Sequence, residues 1–265
     1  MNILKRELRV GLKPFIFWTI GLFLLVFAGM TKYTGIAVEG VSISELIAQF
    51  PKVVLSTFGI VGADMETLEG YYAMLSYYTM ICVSIYAIAL GATAVNRESI
   101  DKTYEFLFTK PRCRTYILKM KLLAGFVYLI GFCLLNYVFS IAAIATLHLS
   151  DNINNEILLY TIAIFLVGIL FLGISVFLSA ITNRTEQGTL YGNLCFLFAF
   201  VVGIIYDMLE NGGILRVLTP IKYFIPSDLL AGKLSVLYAT LCVCLTIALI
   251  LMALNIFDKK DLRAD

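Results

Sequence analysis

Apolar and charged positions along this chain fall into long blocks. Six stretches carry no Asp, Glu, Lys or Arg: Phe15–Met30, Tyr71–Val95, Leu122–Leu147, Ile157–Ile181, Leu190–Tyr206 and Leu234–Phe257. A helix crossing about 30 Å of hydrocarbon needs roughly 20 mainly apolar residues. The second, third, fourth and sixth stretches reach that length unaided; the first and fifth need flanking polar residues. A soluble chain of 265 residues has no core that could cover six such helices. The blocks therefore predict an all-α integral membrane protein with six transmembrane helices in one domain, residues 1–265. The predicted spans are about 15–31, 71–95, 121–147, 157–181, 190–207 and 234–257.

Composition agrees: 60% of residues are hydrophobic and 14% charged, where a soluble domain carries about 25% charged residues. The first stretch follows Lys5, Arg6, Arg9 and Lys13, as a signal peptide would. No small-residue cleavage site follows it and five more spans do, so it reads as an uncleaved signal anchor.

Lys and Arg set the expected orientation. Fifteen lie on the side of the termini: four before the first span, seven between Arg97 and Lys121, Arg184, and three at the C-terminus. The other side has five: Lys32, Lys52, Arg216, Lys222 and Lys233. Both termini are thus expected in the cytoplasm of a multi-pass protein. The outer segment Lys32–Gly70 holds an apolar stretch, Leu46–Ile60, broken by Pro51. It reads either as an amphipathic element on the outer membrane surface or as a packed loop. Between Asp207 and Lys233 the chain is too long for a turn and is broken by Gly212, Gly213, Pro220 and Pro226. A re-entrant or interfacial helical segment before the last span is expected there.

Cys82, Cys133, Cys195, Cys242 and Cys244 fall in spans and Cys113 in a cytoplasmic loop, so no disulfide framework is expected. His148 has no partner cluster and reads as an interfacial residue, so no metal site is expected.

The loop between spans two and three carries the most information. Helical spacing puts Ile100, Tyr104, Leu107 and Phe108 on one stripe, with Glu98, Asp101, Lys102 and Glu105 over much of the remaining surface. Pro111 would end such a helix near Thr109 or Lys110. A stiff element showing aromatic residues suits a groove on a partner protein; the alternative is a helix resting among lipid headgroups.

The run Glu98…Lys102-Thr103-Tyr104-Glu105-Phe106-Leu107…Thr109-Lys110-Pro111…Arg114…Lys119…Lys121 resembles the coupling-helix region of ATP-binding-cassette type-2 (ABC-2) permeases. The resemblance runs over the whole chain. It takes in the six spans, the long outer loop after the first, Thr219-Pro220-Ile221-Lys222-Tyr223-Phe224 before the sixth, and Phe257-Asp258-Lys259-Lys260-Asp261-Leu262 after it. Arg112-Cys113 departs from the small or aliphatic residues common after the proline.

The resemblance implies the membrane half of an exporter in a bacterial plasma membrane. It would pair with a second copy or a sister permease, with lipid around it and no nucleic acid involved. A cytoplasmic ATP-binding-cassette ATPase would dock on a coupling helix formed by Glu98, Asp101, Lys102, Thr103, Tyr104, Glu105, Phe106, Leu107, Phe108 and Pro111. Tyr104, Phe106 and Phe108 would be the apolar anchors, with Glu98, Asp101 and Glu105 setting register. ATP and Mg2+ would belong to that ATPase, leaving this chain without a cofactor and without enzyme activity. A phosphate-cradling loop needs Gly-x-x-x-x-Gly-Lys-Ser/Thr; the one Gly-Lys pair, Gly232-Lys233, is followed by Leu234 on the predicted outer side.

Within the spans, Gly188 and Gly192 are spaced for close helix approach, followed by Asn193. They are candidates for a subunit interface, or equally for a contact within the chain. Ser76, Thr79 and Tyr86 are candidates for lining a pathway, or for ordinary helix packing. No ionisable acid or base is expected inside a span, which disfavours a secondary transporter. One His and no intramembrane carboxylate disfavour an intramembrane enzyme. A non-transporting membrane scaffold or an immunity or sensor protein is the remaining alternative. The lack of charge in the spans favours an apolar or amphipathic substrate, such as a peptide, drug or lipid-like molecule.

Overall fold

A computed structural model describes residues 3–39, 47, 49–100, 114–149, 153–182, 187–209 and 213–259, with main chain only at 36–39, 98–100, 114 and 259. Among the described residues every regular element is helical. In chain order they are α1 (Ile3–Val10), α2 (Leu12–Glu39), α3 (Lys52–Thr57), α4 (Leu68–Ile100), α5 (Arg114–Thr146), α6 (Asn154–Ile181), α7 (Gln187–Met208), α8 (Gly213–Leu218), a 3-10 turn (Pro220–Lys222), α9 (Pro226–Leu230) and α10 (Val236–Lys259). Six of them, α2, α4, α5, α6, α7 and α10, are long and apolar enough to cross a membrane. The expected fold class is what the structure shows.

Helix α4 extends past its charge-free stretch at both ends with charges that suit its termini. In α4, Glu69 lies in the first turn and Arg97 in the last, where the helix dipole favours an anion and a cation respectively. Both α4 and α5 run for 33 residues. At 1.5 Å per residue that is about 50 Å, well beyond the hydrocarbon thickness.

The centre of the bundle is α6, flanked by α4, α5, α7 and α10; the α4–α6 seam is the most extensive. Polar side chains cross these seams. Ser175 donates from α6 to the Ile88 carbonyl of α4 at 2.7 Å. Tyr72 of α4 and Ser140 of α5 pair at 3.0 Å, and Tyr71 donates to the Gly29 carbonyl of α2 at 2.9 Å. The outer helices α2, α7 and α10 leave large aliphatic and aromatic faces open, among them Phe17, Leu24, Leu197, Phe198, Leu237 and Leu251. Apolar surface on that scale suits lipid or another subunit rather than water.

Helix α1 and the last turn of α10 lie at one end, where Glu7 meets Arg97 and Thr115 donates to Asp258 at 3.0 Å. We call it the basic end and the opposite one the far end. The basic end holds an element that the sequence pattern did not predict. Lys5, Arg6 and Arg9 read there as flanking charge, but Ile3–Val10 forms its own helix, packed on α5. At the far end the segment before the last span forms α8, the 3-10 turn and α9, each of six residues or fewer and so too short to cross.

Candidate functional site

Of the predicted docking residues, Glu98 falls in the last turn of α4, described in main chain only. Asp101, Lys102, Thr103, Tyr104, Glu105, Phe106, Leu107, Phe108 and Pro111 lie outside the described residues, as do Arg112, Cys113 and Arg184. The structure gives the two mounts of that segment, the C-terminus of α4 and the N-terminus of α5.

The predicted pathway residues are placed inside the subunit. Ser76, Thr79 and Tyr86 are 2%, 1% and 2% exposed. Thr79 donates to the Leu75 carbonyl of its own helix. Tyr86 is wedged between Trp18 of α2 and Phe132 of α5, with ring centroids 5.5 and 5.0 Å apart. The glycines also make contacts within the chain. A Cβ on Gly188 would stand 2.3 Å from Ser179 Oγ and 2.8 Å from Asn96 Nδ2. One on Gly192 would stand 2.6 Å from Ile88 Cγ2. The pair thus lets α7 approach α4 and α6 closely, while Asn193 turns to the outer surface of the same helix.

The expectation that spans carry no acid or base needs correcting at the span ends, where the structure buries charges that the sequence pattern treated as surface flanks. At the basic end, Arg97 Nη1 lies 2.8 Å from Glu7 Oε2, tying α1 to the last turns of α4. Tyr128 of α5 donates to the Leu8 carbonyl of the same short helix. Lys121, also buried, feels Glu7, Arg97 and Arg6. Glu7 thus holds Arg97 with a second, buried cation close by.

At the far end, Asp207 closes α7 with its side chain 6% exposed. Its Oδ2 takes Lys222 Nζ at 2.5 Å and Ser56 Oγ, from α3, at 2.5 Å. Lys222 Nζ also lies 5.3 Å from the Tyr77 ring centre, within cation–π range. Gly203 leaves room for this arrangement, since a Cβ there would meet Thr219 Oγ1 at 2.9 Å and the Lys222 stem at 3.5 Å. Thr219 donates to the Ala199 carbonyl of α7 at 2.8 Å.

Arg216 turns inward too. It donates to the Lys222 and Tyr223 carbonyls at 3.0 and 2.8 Å and lies 4.2 Å over the Tyr238 ring of α10. Burial, and then the neighbouring Cys242 and Tyr238, push the Tyr223 phenol up to about 12. It therefore remains a donor at physiological pH, to the Val217 carbonyl at 2.6 Å. Ser56 is fully buried against α7, while Val53 and Phe58 face outward.

Sequence reasoning missed both ion pairs. The first joins residues 7 and 97; the second joins 207 with 222 across the glycine- and proline-broken segment before the last span. The one available signal was Asp207 as an acid closing an apolar run.

The family model for the ABC-2 family transporter protein matches residues 1–262. Among curated proteins, none is similar enough to be matched. The family match spans every element described above.

Proposed function

Because this chain belongs to the ABC-2 family of transporter proteins, we propose that it is the permease subunit of an ATP-driven exporter, energised by a separate cytoplasmic ATPase. The observation that carries this reading is the family match over residues 1–262, on a body of six membrane-crossing helices. The basic end faces the cytoplasm, because the Lys and Arg surplus lies there. α4 ends and α5 begins at that basic side, and the apolar stripe of the intervening sequence, with Tyr104, Phe106 and Phe108, supports reading it as the surface on which a soluble ATPase docks. The substrate is apolar or amphipathic, since the buried charges lie at the span ends and are engaged within the chain. Asn193 and the outer face of α7 are available to a second permease copy or sister subunit.

Co-purification tests this. The tagged chain, expressed with the ATPase encoded nearest to it and extracted in mild detergent, should retain that ATPase stoichiometrically. The triple variant Tyr104→Ala, Phe106→Ala, Phe108→Ala should lose it while eluting as a folded species. Retention by the triple variant would sink the docking assignment. No ATPase with either protein would favour the scaffold or immunity alternative.

A further inference from the structure

The far end is inside-out for a loop that faces water. In α8, Arg216 points into the protein, while Ile214 is 85% exposed and Val217 and Leu218 also face outward. Lys222, in the next turn, is buried. The cap formed by residues 213–231 is thus fastened from within by charge and presents aliphatic side chains outward.

One atom does much of the fastening. Asp207 Oδ2 holds Ser56 and Lys222, joining the end of α7 both to the cap and to α3, about 150 residues earlier in the chain. Beneath it lies Tyr77 of α4. A buried acid–base pair near the membrane is costly to part unless water or another partner replaces what each group loses. It therefore favours two discrete states, joined and fully opened, over a graded series.

We propose that Asp207 and Lys222 are the lock of an outer gate. While they are joined, the cap is shut over the far ends of α4, α7 and α10, and the path outward opens when they part and the cap lifts. Asp207 acts as a positioning residue, holding the cap through Lys222 and touching no cargo. The link to an ATP-driven cycle rests on the permease reading; the lock itself does not.

The test is thiol labelling of intact cells with a membrane-impermeant maleimide. Ile221, on the buried inner side of the cap, is changed to Cys, and the rate on the unaltered chain is subtracted to remove the native thiols. With the pair intact, Ile221→Cys should label slowly. Adding Asp207→Asn should raise the rate roughly tenfold or more, as a stranded buried lysine moves toward water. Buried Cys242 should stay protected, which separates a lifted cap from an unfolded protein. The charge swap Asp207→Lys with Lys222→Asp should restore slow labelling. An unchanged rate in Asp207→Asn would overturn the lock. So would Cys242 reacting in parallel without rescue by the swap.

In the complex with its ATPase, trapping with ATP and vanadate should speed labelling of Ile221→Cys on the otherwise unaltered chain. If the ATPase is bound and labelling does not change, the gate is wrong and the permease reading stands. If no ATPase binds, the permease reading fails, while the Asp207→Asn result still judges the lock.

Discussion

Each end of this molecule buries a carboxylate against a cation, and the two arrangements differ in charge balance. At the far end Asp207 and Lys222 are matched one to one, with Ser56 completing the carboxylate's contacts. At the basic end Glu7 pairs with Arg97 while buried Lys121 stands near both, and the Glu7 Oε1 has no hydrogen-bond partner among the described residues. A matched pair is a fastening that an apolar pair of similar size could replace. An anion shared between a paired cation and a second one nearby also offsets their repulsion, and an apolar side chain cannot do that. The difference shows how two contacts of similar length can depend on their surroundings in opposite ways.

The largest effect is therefore expected at Glu7. Glu7→Leu strips the largely buried Arg97 of its partner beside buried Lys121 and should cost about 3–5 kcal/mol, read as a lowered thermal midpoint of the detergent-solubilised chain. A smaller loss than that of Asp207→Leu alone would reverse the ranking. Next, the double variant Asp207→Leu with Lys222→Met should lie within about 1 kcal/mol of the parent protein or above it, while either single change loses about 3 kcal/mol. Loss of stability in the double variant equal to the sum of the singles would show that the pair is more than a replaceable fastening.

Away from the charges, Gly192→Val drives a side chain into Ile88 and should cost about 1–3 kcal/mol through overpacking. The exposed Asn193, one residue on, should tolerate Ala within about 0.5 kcal/mol. A fall in the dimer fraction of Asn193→Ala, measured by crosslinking in membranes, would place the subunit contact on that face. An unchanged fraction would remove it.

The crossing helices were legible because a single property, an unbroken apolar run, defines them. Tyr71–Val95 and Ile157–Ile181 could be read without any knowledge of neighbours. What the runs did not disclose is which face of a helix turns inward. Ser76, Thr79 and Tyr86 look alike as lining or as packing until α2 and α5 are laid against α4. The glycine spacing announced a close approach but did not name the partner, which proved to be α4 and α6 of the same chain. The ion pairs were hidden for a different reason. A flanking Lys or Arg carries one letter whether it points to water or to a carboxylate on another helix. Lys222 was therefore taken for an outer surface charge, and α1 for a basic tail.

Helix α4 has a consequence that is mechanical. It has no proline between Leu68 and Ile100, so its hydrogen-bonded ladder needs no break along its length. Near one end it carries Arg97, bound to α1; twenty residues away it carries Tyr77, the ring against Lys222. Those two points stand about 30 Å apart on one rod. A tilt of about 10° at the basic end would displace the aromatic ring by roughly 5 Å, given 1.5 Å of rise per residue. The helix is a lever, and both fastenings are mounted on it.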